Sequence, residues 1–92
     1  MKVVQKIKVK NKMGLHTRPA TAIVKMLQNT RSYVHFTYKD ETVNAKSILS
    51  ILMLAAKKNS SITITCDGED AEATMGMLVK GFDEQFGELT VS

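Results

Sequence analysis

Residues 2–29 read KVVQKIKVKNKMGLHTRPATAIVKMLQN, and the hydrophobic period changes once within them. Over Lys2–Lys10 the period is two. Val3, Ile7 and Val9 fall to one side, and Lys6, Lys8 and Lys10 to the other, as in a strand with one buried face. From Thr17 to about Asn29 the apolar residues Ala20, Ile23, Val24 and Leu27 recur at i, i+3, i+4 and i+7, which predicts an amphipathic helix. Pro19 lies in its first turn, where a missing N–H does no harm. Asn11–Leu15, containing Gly14, is the loop between them.

The same reading extends to the rest of the chain. Tyr33–Tyr38 alternates, with Val34, Phe36 and Tyr38 opposite Tyr33, His35 and Thr37. A turn at Lys39–Glu41 and a short strand at Thr42–Asn44 follow. A second helix is expected from Ser47 to Lys57, ended by Asn59 as a left-handed cap. Ile62, Ile64 and Cys66 define the last strand, and Asp67-Gly68 turns the chain. Glu69, Asp70 and Glu72 favour the start of a third helix, whose apolar stripe is Ala71, Met75, Leu78, Phe82 and Phe86. Gly76 and Gly81 each weaken that helix by up to about 1 kcal/mol relative to Ala, and close packing is the expected reason. The order β-α-β-β-α-β-α, with four strands that each need cover on one face, predicts an α+β two-layer sandwich with every helix on the same side. No repeat, low-complexity segment or linker divides the chain, so residues 1–92 are expected to form one domain.

Composition narrows the function. The 92 residues, 43% apolar and 24% charged, suit an ordinary folded domain with a modest core. The longest uncharged stretch, Ser47–Ala56, is too short to span a bilayer, and the amino terminus lacks the pattern of a signal peptide. A lone cysteine leaves neither an internal disulfide nor a cluster for structural zinc. A cytoplasmic protein without metal or cofactor is expected. The net charge of +4 conceals a split: residues 1–66 carry +10 and residues 67–92 carry −6. Such a molecule should dock electrostatically. Nucleic acid is not the expected partner, because the lysines of residues 2–10 alternate as a strand's wet face requires, aromatic residues are few, and no RNA-binding signature or zinc-finger spacing occurs.

His16 stands where the chain enters the first helix, in Gly14-Leu15-His16-Thr17-Arg18-Pro19-Ala20. A helix start offers unpaired N–H groups and the positive end of the dipole; it disfavours a cation, which leaves the imidazole its lone pair, and it welcomes a phosphate. Arg18 adds a planar cationic fork matched to phosphate oxygens, and Gly14 permits close approach. These residues together suit transient phosphorylation of the histidine. The plainer alternative is that His16 caps the helix or binds stray anions. His35, mid-strand and without glycine or arginine beside it, reads as structural.

That heptapeptide resembles the active-centre motif of the HPr family, the histidine-containing phosphocarriers of the bacterial phosphoenolpyruvate-dependent sugar phosphotransferase system. Val43-Asn44-Ala45-Lys46-Ser47-Ile48 resembles the same family's second signature, around a regulatory serine. The resemblance implies an open-faced β-sandwich, with an antiparallel sheet of order 1-4-2-3 and three helices on one face. It also implies a carrier and not an enzyme. His16 would take a phosphoryl group on Nδ1 from enzyme I and pass it to enzyme IIA domains of sugar permeases, with Thr17 and Arg18 cradling the phosphate. Ser47 would be the target of an HPr kinase/phosphorylase, with a transcriptional regulator as a further partner; as a helix N-cap it also has a purely structural explanation.

The second helix is apolar nearly all round. Ile48, Ile51, Leu54 and Ala55 supply the stripe it needs, leaving Leu49, Leu52 and Met53 over. Either the helix is sunk deep in the domain or these residues form a docking patch. The resemblance favours a docking surface of Ala20, Lys25, Leu49, Leu52 and Met53, with Arg18, Lys25 and Lys46 around it and an acidic partner opposite. A monomer is expected. Two alternatives remain: a regulatory module controlled through Ser47, and a basic anion- or RNA-binding domain with a passive His16. Some features depart from the family pattern. Lys39-Asp40-Glu41 stands where Asn-Gly is common, with Asp40 the residue suited to a left-handed turn. Ala55, in place of glycine, is expected to tighten or lengthen the second helix. The Gly87–Ser92 tail has no clear counterpart.

Overall fold

The computed structural model describes residues 1–88. Its elements are β1 (Lys2–Lys8), α1 (Thr17–Leu27), β2 (Tyr33–Tyr38), β3 (Glu41–Asn44), α2 (Ile48–Met53), β4 (Ser61–Asp67) and α3 (Ala71–Asp83), followed by a 3-10 turn at Gln85–Gly87. The four strands form one antiparallel sheet in the order β1-β4-β2-β3. Alternation along the strands divides its faces. Val34, Phe36, Ile62, Ile64 and Cys66 are buried beneath the helices, whereas Lys2, Val4, Lys6, Lys8 and Tyr33 are exposed. Ala20, Ile23 and Leu27 of α1, Ile51 of α2, and Ala71, Met75, Leu78 and Phe82 of α3 close the core from the other side. Phe36 and Phe82 meet edge to face at 5.7 Å across the two layers. Cys66 is fully buried, and burial, with the negative charge of Asp70, pushes its thiol up to about 11, so it packs as a small apolar side chain.

Several boundaries differ from those expected. The hairpin between β2 and β3 turns at Lys39 and Asp40, but the left-handed residue is Lys39, at φ 55°, not Asp40. Glu41 is already paired with Tyr38. Helix α2 stops at Met53 and does not run to Lys57, because Ala55 takes a left-handed φ of 51°. It is thus neither lengthened by Ala55 nor packed through it: Ala55 is exposed, while Leu54 and Ala56 turn inward. Asn59 is left-handed as expected, at φ 73°, but it lies in the turn that leads into β4. Helix α3 ends at Asp83, so Phe86 is not on its stripe. The Phe86 ring folds back and stacks edge to face on Phe82 at 4.8 Å.

At the start of α3, Asp70 does not cap its own helix. Its carboxylate accepts from the Ser32 hydroxyl and from the Arg31 N–H at 2.9 Å, tying α3 to the segment before β2. Those bonds hold the carboxyl down at about 2.

Candidate functional site

The loop Asn11–Leu15 delivers His16 to the head of α1, and the backbone just past α2 packs against that loop. The left-handed turn at Ala55 presents the Ala56 carbonyl to the Leu15 N–H at 3.0 Å. Gly14 packs against the same backbone: it has φ 69°, and a Cβ there would lie 2.1 Å from the Ala56 carbonyl oxygen. Only glycine fits. Its role is therefore contact with the protein's own chain, whereas the sequence suggested room for a phosphate.

His16 occupies the N-cap position with extended backbone and accepts the first helical bond, from the Ala20 N–H at 3.1 Å. Its side chain makes no capping bond, which removes the plainer explanation that the imidazole is there to cap the helix. The imidazole instead places Nε2 2.6 Å from Oε2 of Glu88. Among the described residues nothing bonds to Nδ1. Thr17 and Arg18, both exposed, form the first turn of α1, and no acidic side chain occupies that turn. Arg18 makes no ion pair among the described residues, although its charge acts on Glu88. Thr17, Arg18, Lys25 and Glu88 border an open cleft of about 940 Å³ beside His16. The site thus combines a half-buried imidazole, a helix start with no side-chain cap and a cation that forms no ion pair among the described residues. Chemically, that arrangement can accept and stabilise a tetrahedral dianion.

Two groups at the site were not identified from the sequence. Asn11 is fully buried, and its Nδ2 donates to Oε1 of Glu88 at 2.9 Å and to the Gln85 carbonyl at 3.0 Å. Glu88 belongs to the Gly87–Ser92 tail, for which no role was assigned; residues 89–92 of that tail lie outside the described ones. Burial raises the Glu88 carboxyl, but the bonds from Asn11 and His16 and the charges of His16 and Arg18 outweigh it and hold the group below its ordinary value. No local pattern links residues that are 72 and 77 positions apart. The only trace was Gly81, since a glycine inside a helix suggests that something lies close. A Cβ there would come within 2.3 Å of the Phe86 ring, which anchors the tail.

The other expected residues divide. Ser47 caps α2, its Oγ accepting from the Ser50 N–H at 3.2 Å. Leu49 and Met53 are each 68% exposed, Leu52 is half-buried, and Lys25 is exposed in the last turn of α1. Ala20 has no accessible surface, because its position in the helical repeat faces the core; it cannot belong to a docking surface. Lys46 is half-buried, and its ammonium donates to the Thr30 carbonyl near the end of α1 at 3.0 Å, so it is tied down and not an open part of the basic rim. Among the described residues no group of His, Cys, Asp or Glu is placed to hold a metal ion, and no helix is long and apolar enough to cross a membrane.

Comparison with known proteins supplies the context. The family model described as "PTS HPr component phosphorylation site" matches residues 3–84. The phosphocarrier protein HPr of Chlamydia pneumoniae is 43% identical over 81 residues, covering 88% of this chain and 75% of that protein. Among solved structures, HPr-C-His from Thermoanaerobacter tengcongensis superposes with a TM-score of 0.90 at 32% identity, covering 96% of this chain and 99% of the other. HPr from Bacillus anthracis gives 0.82 at 37% identity, covering 86% and 94%.

Proposed function

The chain belongs to the HPr family of phosphocarriers in the phosphotransferase system, and from that premise we propose that His16 is the residue that carries the phosphoryl group. It receives the group from phosphorylated enzyme I and delivers it to enzyme IIA domains of sugar permeases, all in the cytoplasm. The observation that carries this reading is the state of the imidazole: it does not cap its helix, Nε2 is engaged by Glu88, and Nδ1 has no partner among the described residues while the cleft beside it is lined by Thr17 and Arg18.

Nδ1 attacks phosphorus through a loose, in-line transition state in which the protein contributes position and charge. The first-turn N–H groups of α1 and the Arg18 guanidinium balance the phosphate, and Thr17 supplies part of that cradle. None of these groups turns over a substrate; the protein is itself the substrate of the enzymes on either side. Leu49 and Met53, with Leu52 partly exposed beside them and Lys25 and Arg18 as cations, form the surface those enzymes meet. Ser47 is a second modification site in this reading, open to an HPr kinase/phosphorylase, with a transcriptional regulator recognising the product. Its position beside Leu49 supports this, since a phosphate there adds about −1.5 to −2 charge to a surface suited to acidic partners.

Intact mass after incubation with phosphoenolpyruvate, magnesium and enzyme I tests the reading. The wild type should gain one acid-labile phosphate and His16→Ala none. A wild type that gains none with the cognate enzyme I overturns it.

A further inference from the structure

Glu88 makes the only hydrogen bond to the His16 ring among the described residues, and phosphoryl transfer as derived above assigns it no part. Its carboxylate is held from two sides, by His16 on Oε2 and by Asn11 on Oε1. The Asn11 amide cannot face the other way, because both neighbours of its Nδ2, the Glu88 carboxylate and the Gln85 carbonyl, only accept. An ionised carboxylate likewise only accepts, so Nε2 must be the nitrogen that carries the proton. In a neutral ring the lone pair then belongs to Nδ1.

The segment that brings Glu88 to this place is strained. Gln85, Phe86 and Gly87 are all left-handed, at φ 57°, 50° and 77°, and two of the three bear side chains. Such residues persist only where their surroundings hold them. Here the holds are visible: the Phe86 ring on Phe82 and in the space left by Gly81, and Asn11 on the Gln85 carbonyl. Glu88 also lies beyond the residues 3–84 that the family model matches.

We propose that Glu88 is a positioning residue for phosphoryl transfer: fixed by Asn11, its carboxylate keeps His16 in the Nε2–H tautomer and faces the positive charge that the ring gains when Nδ1 is phosphorylated. This rests on His16 being the phosphoryl acceptor. In the step, the Nδ1 lone pair forms the N–P bond while the donor's bond to phosphorus breaks and its electron pair leaves with the donor. No proton has to leave Nδ1, and the ring's new charge is shared with Nε2–H, opposite the carboxylate. Onward transfer returns the electron pair of the N–P bond to the ring.

The test uses the full chain with ¹⁵N-labelled histidine, as wild type, Glu88→Ala and Glu88→Gln. In the wild type the neutral His16 ring should give two well-separated nitrogen signals, protonated Nε2 and unprotonated Nδ1. In Glu88→Ala they should move toward each other as the second tautomer becomes populated. In Glu88→Gln the single amide oxygen is claimed by the Asn11 donor, which leaves the NH2 group facing Nε2 as a donor, so the two signals should exchange, with Nδ1 now the protonated nitrogen. With phosphoenolpyruvate and enzyme I, the Glu88→Ala kcat for phosphorylation should fall roughly tenfold with KM for this protein unchanged, and Glu88→Gln should fall at least as far, since a ring held in the Nδ1–H tautomer has no lone pair on the attacking nitrogen. A wild type that takes no phosphate overturns the carrier reading and with it any part for Glu88 in transfer. A wild type phosphorylated on His16, alongside a Glu88→Ala variant with the same ring signals and the same rate, overturns the assignment to Glu88 alone.

Discussion

Gly76 and Gly81 lie five residues apart in α3 and look alike in the sequence, yet the structure separates them. Gly81 faces the Phe86 ring, and a Cβ there would meet ring carbons at 2.3 to 3.0 Å. Gly76 has open space, with nothing within 4 Å of a Cβ, and nothing in the structure explains it. The same substitution should therefore have opposite signs. Gly81→Ala pushes Phe86 off its seat and should destabilise the fold by about 1–2 kcal/mol. Gly76→Ala should stabilise it by up to about 1 kcal/mol through helix propensity. Urea denaturation of the two variants checks both. Equal shifts would mean that Phe86 does not hold the tail where the structure has it. Close packing was the right expectation at one glycine only, because a sequence shows that a side chain is missing and not what fills the gap. His16 and Arg18 were legible as a candidate pair since they lie two residues apart in the chain. Asn11 and Glu88 were not, because they meet only after the fold closes.

At the scale of elements, the strand faces and the stripe of α1 followed from period alone, since each period-two run carries its buried residues on one side and α1 spans three turns. The end of α2 did not. Its apolar run continues unbroken through Ala56, so the sequence carries no polar or glycine signal where the helix stops at Met53. The stop lies in the backbone at Ala55, which takes a conformation that an L-residue with a Cβ adopts at a cost of about 1–2 kcal/mol. Burial of Leu54 and Ala56 and the bond from Leu15 to the Ala56 carbonyl offset that cost and fix the loop that leads into His16. Ala55→Gly removes the Cβ from an exposed position, so no packing is lost. It should raise stability by roughly 1 kcal/mol after allowing for glycine's greater unfolded-state freedom, read as a higher melting temperature. A lower one would show that the left-handed turn is not where the strain lies.

For the whole molecule, the opposed charges of the two parts of the chain and the apolar surface of α2 belong to one question: whether α2 is simply sunk in the domain or offers a surface. Exposure separates the two within a single helix. Ile51 is fully buried and supplies the anchor, while Leu49 and Met53 are each 68% exposed and contribute little to the core. Apolar side chains left in water, on a molecule that also exposes cations such as Arg18 and Lys25, suit a partner that is apolar at its centre and acidic at its edge. The double variant Leu49→Gln, Met53→Gln should then keep its stability within about 0.5 kcal/mol. Its KM in phosphorylation by enzyme I should rise about tenfold while kcat holds, because binding is lost and the chemistry at His16 is untouched. Added salt should slow the wild-type reaction at limiting concentration by weakening the same attraction. If the double variant instead melts well below the wild type at unchanged KM, α2 contributes to the core through those side chains, and the partners of His16 must approach from another face.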